Sequence, residues 1–301
     1  MEENNVKNKH LKIILVPILI ALMIIIIAVI VAYVSIKEAV SYPTEEIKQN
    51  CNIETYEYCN RKVFEITPKD GVKNEKVILY FHGGSYFAEM TVEHWNFIQK
   101  LIDDTGSKII LPDYPLAPKS NVVDVFGMVE PLYQKIISQT NPENLIIMGD
   151  SAGGGLSLAL EEKLAKDNIL EPSKTILISP WLDVTMENPE IKDVQKNDTD
   201  LSTETLKVAG ITYAGEKDTK NYLVSPLYGD ISKLKNITIF TGTYDILNPD
   251  VHILQKKAQE IGNEITIKEF EKAKHIWIIK NNCDEELVNK AYNELILKIK
   301  N

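Results

Sequence analysis

The serine in Gly149-Asp150-Ser151-Ala152-Gly153 has the strongest chemical signature in the sequence. An apolar run, 144–148, leads into it and a helical pattern, 153–166, leads out, so Ser151 is predicted on a sharp turn between a strand and a helix. Such a turn pushes the hydroxyl outward and needs small residues two before and two after it. A glycine-rich helix start can instead pack against a strand or cradle a phosphate. Here no Gly-Lys-Ser/Thr follows and the Gly-x-Gly-x-x-Gly spacing is absent. A serine hydroxyl is a weak nucleophile at neutral pH and needs a base, itself held in one tautomer by a carboxylate. Of the five histidines, His10 is in the amino-terminal tail, and His94 and His252 lie in helical patterns where surface or capping roles suffice. His82 ends a strand in a Gly-Gly loop with a different purpose. His275 follows the strand pattern 265–270 and precedes the last helix, where it can turn over a sheet edge, and is the expected base. Asp245, reached from 237–241 through Gly242-Thr243-Tyr244, is the expected acid. Asp250 is the fallback, since after Pro249 it reads as a first-turn helix residue. Acyl cleavage at Ser151 places negative charge on a carbonyl oxygen, which backbone N–H groups must meet. Tyr80-Phe81-His82-Gly83-Gly84-Ser85-Tyr86 supplies a glycine loop after a strand, and its donors would join the N–H of Ala152. The plainer reading of that loop is a tight turn.

These residues need a scaffold that gathers strand ends. Short apolar, β-branched runs at 62–67, 76–81, 108–111, 144–148, 174–178, 237–241 and 265–270 are predicted strands. Helical periodicity occupies 92–104, 122–138, 153–166, 251–261 and 285–298 between and after them. Runs such as Val77-Ile78-Leu79-Tyr80 are apolar on both faces, as in a parallel sheet covered by helices on each side. The fold class is therefore α/β, doubly wound. The interval 183–234 lacks a convincing strand and is too long for an ordinary connection, so it is expected to be an inserted cap.

The chain has 301 residues, 44% apolar and 25% charged, which excludes disorder and a disulfide-stapled miniprotein. Its formal net charge of −10 and lack of a basic patch argue against a nucleic-acid partner. The three cysteines fit no zinc spacing, so no metal is expected. Residues 13–36 carry no charge and, at about 1.5 Å per residue, exceed the hydrocarbon core of about 30 Å, so one transmembrane helix is expected. The rival, a cleaved signal peptide, has a shorter apolar region and a better cleavage site. That leaves 1–12 as a short tail, 37–60 as a polar stalk or start of a lid, and 61–301 as the catalytic domain. The lysines preceding the span favour a catalytic domain outside the cytoplasm, where Cys51 and Cys59 are the pair most able to form a disulfide.

Several strings in register resemble the hormone-sensitive-lipase branch of the α/β-hydrolases. They are Phe81-His82-Gly83-Gly84, Asp113-Tyr114-Pro115-Leu116-Ala117-Pro118, Gly149-Asp150-Ser151-Ala152-Gly153-Gly154, Ser179-Pro180-Trp181-Leu182-Asp183 and Gly242-Thr243-Tyr244-Asp245, with His275-Ile276-Trp277. The resemblance implies an α/β-hydrolase fold with a mostly parallel sheet and a helical cap. It implies an esterase or lipase for short or medium acyl chains that uses no cofactor, with Gly84, Ser85 and Ala152 as oxyanion donors and His82 and Gly83 supporting their loop. The chain order Ser151, Asp245, His275 agrees with that fold. Two positions depart from the pattern: Ser85 stands where a third glycine is usual, and Pro115 where an arginine is common. The membrane anchor is not part of the soluble bacterial members' pattern; beside a bilayer, lipid-like esters become expected substrates. A serine hydrolase for amide or peptide bonds would use the same three residues, and a catalytically silent receptor would keep only the fold.

Overall fold

The structure, a computed structural model, describes residues 42–301. Eight strands form one sheet: β1 (Cys51–Tyr58), β2 (Arg61–Pro68), β3 (Val77–Phe81), β4 (Lys108–Pro112), β5 (Leu145–Asp150), β6 (Lys174–Ile178), β7 (Ile237–Gly242) and β8 (Ile265–Phe270). Their spatial order is β1-β2-β4-β3-β5-β6-β7-β8. β1 and β2 are antiparallel to each other and β2 is antiparallel to β4, while every pair from β4 to β8 is parallel.

Strand periodicity accounts for the layers. Alternate residues of β3 point to opposite faces: Ile78 and Tyr80 join one apolar cluster, Leu79 and Phe81 the other, and all four are buried. On the first face pack α2 (Val92–Thr105), through Trp95, Ile98, Leu101 and Ile102, and α9 (Glu285–Lys300). The spacing of those α2 residues is the three-and-four step of one helical stripe, and Gly106 ends the helix in the left-handed region at φ 70°. On the second face lie α3 (Val122–Ile137) and α4 (Ser151–Asp167). α7 (Asn248–Glu260) packs through Val251 and Leu254 onto Ile237 and Ile239 of β7.

Between β6 and β7 the chain forms α5 (Ile191–Gln195), α6 (Thr203–Ala214) and a short turn of tighter helix, Pro226–Tyr228, but no strand. The two ends of this interval are drawn together: the Tyr228 hydroxyl donates to Asp183 Oδ2 at 2.8 Å and the Val184 N–H donates to Ser225 Oγ at 2.9 Å.

Three expectations change. The described part of the stalk, read as 37–60, is a helix, α1 (Glu45–Asn50), followed by β1, which pairs with β2 along its whole length. The folded unit therefore begins before residue 61. Second, β1 runs between Cys51 and Cys59 and, at about 3.3 Å per residue, holds them far outside bridging distance. Both are free, as is Cys283, and burial followed by the charge of Asp103 pushes the Cys51 thiol up to about 11. Third, of the two roles expected for His94 only capping holds: its Nδ1 accepts the Thr91 N–H at the start of α2, and the side chain is buried, at 4% exposure, instead of lying on the surface. The expected membrane span, 13–36, lies outside the described residues; among those described, no helix is long and apolar enough to cross a membrane.

Candidate active site

The carboxyl edge of the parallel strands collects the residues singled out above. Ser151 follows β5 directly and opens α4 in the left-handed region, at φ 51°. That conformation is costly for a residue with a Cβ, by about 1 kcal/mol or more, and it lifts the side chain out of the strand-to-helix turn. Asp245 sits in the loop after β7, and His275 in the loop after β8. His275 Nε2 lies 3.0 Å from Ser151 Oγ, and His275 Nδ1 lies 2.9 Å from Asp245 Oδ2. A carboxylate only accepts, so Nδ1 carries the proton it donates to Asp245, and the Nε2 lone pair faces the serine O–H. All three are buried, and the second Asp245 oxygen accepts the N–H of Leu247 at 2.9 Å. The arrangement can deprotonate the serine during attack and stabilise the imidazolium that results.

Asp250, the alternative acid, is elsewhere. Its Oδ1 accepts from Asn188 Nδ2 at 2.9 Å and its Oδ2 has no partner among the described residues. Burial, with the charge of Asp183 adding to it, pushes its carboxyl up to about 7 despite that hydrogen bond. His252 meets Glu269 on the surface at 2.5 Å.

The glycine loop after β3 packs on the serine turn. A Cβ on Gly83 would strike the Asp150 carboxylate and stand 3.0 Å from Ser151 Cβ, and one on Gly153 would strike the Phe81 carbonyl, so the loop and the turn touch through missing side chains. The Gly83 N–H donates to Asp150 Oδ1 at 3.0 Å. The donors left in line after it are Gly84 and Ser85, with Ala152 beside the serine at the start of α4, where helix N–H groups have no intrahelical acceptor. Ser85 and Tyr86 both adopt positive φ, 55° and 63°. Ser85, expected to stand where a third glycine is usual, thus takes a backbone conformation that glycine adopts freely. His82 supports it from below: its Nδ1 donates to the Gly83 carbonyl at 2.6 Å, its ring stacks on Tyr114 at 4.6 Å, and burial, then nearby His94, lowers it to about 4. At the other departure, Pro115, the neighbouring Asp113 is held by Arg61 of β2, whose Nη2 lies 2.6 Å from Asp113 Oδ1.

Sequence reasoning missed Asp150. Fully buried beside the serine, it accepts from the Tyr80 hydroxyl at 2.6 Å as well as from Gly83, and its Oδ2 faces His94 Nε2 at 3.2 Å. The Thr91 N–H donates to His94 Nδ1 at 3.1 Å, which leaves the proton on Nε2 for Asp150. Burial opposes the Asp150 charge, but His94 and then Tyr80 outweigh it and hold the carboxyl below its ordinary range. A carboxylate at the end of a wholly apolar strand was the available signal, because such a group demands several donors. Ser179 and Trp181 were also missed: the Ile276 N–H donates to Ser179 Oγ at 3.1 Å, and the Trp181 N–H donates to the Ser151 carbonyl at 2.8 Å. Among the described residues no group of histidine, cysteine, aspartate and glutamate could hold a metal ion.

Residues 78–279 match the family described as alpha/beta hydrolase fold. An esterase of Acinetobacter venetianus is 33% identical over 196 residues, 64% of each chain. An acetyl-hydrolase of Streptomyces hygroscopicus is 26% identical over 227 residues, 75% of each chain. A solved structure from Staphylococcus aureus, 25% identical and aligned over 90% of both chains, superposes with a TM-score of 0.81. The chain thus spans a little under two thirds of the first of these relatives.

Proposed function

The chain belongs to the alpha/beta hydrolase fold family, and from that premise we propose that it hydrolyses carboxylic esters with short to medium acyl groups, using Ser151, His275 and Asp245 as nucleophile, base and acid. One observation carries the reading: the unbroken chain from Ser151 Oγ to His275 Nε2 at 3.0 Å and from His275 Nδ1 to Asp245 Oδ2 at 2.9 Å. In the first half-reaction Ser151 Oγ bonds to the ester carbonyl carbon while its proton passes to His275 Nε2. The carbonyl oxygen takes the negative charge and is met by the N–H groups of Gly84, Ser85 and Ala152. Collapse breaks the bond to the alcohol oxygen, which leaves with the proton from His275. Water then attacks the acyl-serine by the same route, returning the serine and releasing the acid. No cofactor enters either half.

The relative named an esterase supports ester over amide substrates. α6 serves as part of a cap over the site in this reading, supported by Tyr213, whose ring stacks on Tyr86 of the glycine loop at 3.6 Å and 4°. The apolar stretch 13–36 anchors the enzyme in a membrane with the catalytic domain outside the cytoplasm, a reading that rests on its length and lack of charge. The test is hydrolysis of p-nitrophenyl esters of increasing acyl length beside aminoacyl anilides, with fluorophosphonate labelling. Ester turnover that Ser151→Ala abolishes, together with its label, is the expected result. Turnover of anilides alone would assign amide substrates, and neither turnover nor label would refute catalysis at this site.

A further inference from the structure

The loops carrying the acid and the base leave different strands, and each is tied to the same short turn of the β6–β7 interval. Asp198, 8% exposed, accepts the N–H of Ile246, next to Asp245, at 2.9 Å through Oδ2. Its Oδ1 accepts the N–H groups of Asp200 and Leu201 at 2.8 and 2.9 Å, so the same carboxylate also shapes the turn. Two residues on, Asp200 Oδ2 accepts from Lys280 Nζ at 2.9 Å and from Asn282 Nδ2 at 3.0 Å. Lys280 closes α8 (Trp277–Lys280), the helical turn that begins two residues after His275. Gln195 fastens the turn from behind: its side chain donates to the Leu201 carbonyl at 2.9 Å and accepts the Thr203 N–H at 3.0 Å.

We infer that the 198–200 turn is a positioning element for the reaction, with Asp198 fixing the acid loop and Asp200, through Lys280, fixing the base loop. This rests on the proposed roles of Asp245 and His275. The three backbone N–H groups that a carboxylate collects make charge-assisted bonds, about twice as strong as those to a neutral acceptor. The two loops also meet directly, the Tyr244 N–H donating to the Ala273 carbonyl at 3.0 Å and the Lys272 N–H to Thr243 Oγ1 at 2.8 Å; the turn adds a tie to each from a third segment, beside Ile246 and at Lys280, on the far side of the residues that form the Asp245–His275 contact. Asp200 adds a field as well as a tether. Burial works against its charge, yet Lys280, then His275, hold its carboxyl below the ordinary range. The charged groups around His275 are Asp245 on its own ring, Asp198 and Asp200 from the interval, Lys280 from α8, and Glu93 of α2, which lies within the field of Lys280.

The experiment measures kcat, KM and the pH dependence of kcat/KM on a short-chain p-nitrophenyl ester for the full-length protein and for Asp198→Ala, Asp200→Asn, Lys280→Met and Ser151→Ala. Asp198→Ala is expected to lower kcat about tenfold to a hundredfold with little change in KM, as remote misplacement of a catalytic pair does. Asp200→Asn and Lys280→Met are both expected to lower kcat, because either breaks the tether. Their acidic limbs should move in opposite directions: to lower pH without the Asp200 charge, and to higher pH without the Lys280 charge. A turn that merely stabilises the fold would lower melting temperature and leave both limbs in place, and that result overturns the inference. Unchanged kcat in Asp200→Asn and Lys280→Met also overturns it, including where Asp198→Ala fails to fold. If Ser151→Ala keeps its ester turnover, the underlying reading of the site fails; if Ser151→Ala is inactive and the three other variants match the parent, only the positioning role does.

Discussion

At the scale of single residues, two aspartates five positions apart compete for one role, and their surroundings separate them. Asp245→Asn is expected to lower kcat by about 10⁴, because the amide no longer holds His275 in the tautomer that faces the serine. Asp250→Asn should leave kcat within about twofold; the reverse ranking in steady-state assays would move the acid. His94 gives a second test. His94→Leu removes the donor to a buried carboxylate oxygen, and a cost of about 1–3 kcal/mol is expected in denaturant unfolding, with lower kcat as the Gly83 anchor loosens. That Ser151, Asp245 and His275 would meet was legible in the sequence, because each follows a strand pattern that ends at the same sheet edge. Asp150, His94, Ser179 and Asp198 were not. Their partners come from distant segments, and periodicity reports which face a residue occupies without saying which polar atom it will find there.

At the scale of elements, β3 to β7 were legible because a strand buried on both faces is written as a continuous apolar string, and β2 and β8 because β-branched and aromatic residues recur within them. β1 was not. At the sheet edge its residues alternate between half-buried and exposed, and its glutamates and tyrosines read as a polar stalk. Its place is secured by Tyr56 and Tyr58 against the core, with the Lys135 ammonium 4.2 Å above the Tyr56 ring. α7 meets the interval at Asp250 and Asn188, and this junction is sensitive to pH. In the folded chain Asp250 titrates near 7, in the unfolded chain near 3.8. The folded state therefore holds the proton more tightly, and this group's contribution to stability is lost as pH rises from about 4 through 7. Asp250→Asn should raise the melting temperature at pH 8 and leave it unchanged near pH 4; equal shifts at both values would mean that the carboxyl is ionised throughout.

At the scale of the whole molecule, the parallel order of β3 to β8 brings the glycine loop, the serine turn and the two loops that follow β7 and β8 to one edge. A doubly wound sheet was legible from the alternation of strand and helix patterns, while the tie between the interval and the acid and base loops was not, because it depends on hydrogen bonds across segments far apart in the chain. If residues 13–36 hold the enzyme in a membrane as proposed, protease added to intact cells should cut the catalytic domain. A domain that is cut only after lysis would place it on the cytoplasmic side.

The order of the parts along the chain also sets when the enzyme can first act. His275 follows Ser151 by 124 residues. During synthesis at about 5–20 residues per second, that gap is a delay of about 6–25 s in which the proposed nucleophile has been made and its proposed base has not. β8 and α9 pack against the sheet on either side of His275 in the chain, so on the proposed reading a nascent chain that lacks them has no ester turnover. Ester turnover by chains stalled on the ribosome should accordingly be absent until the last helix has emerged.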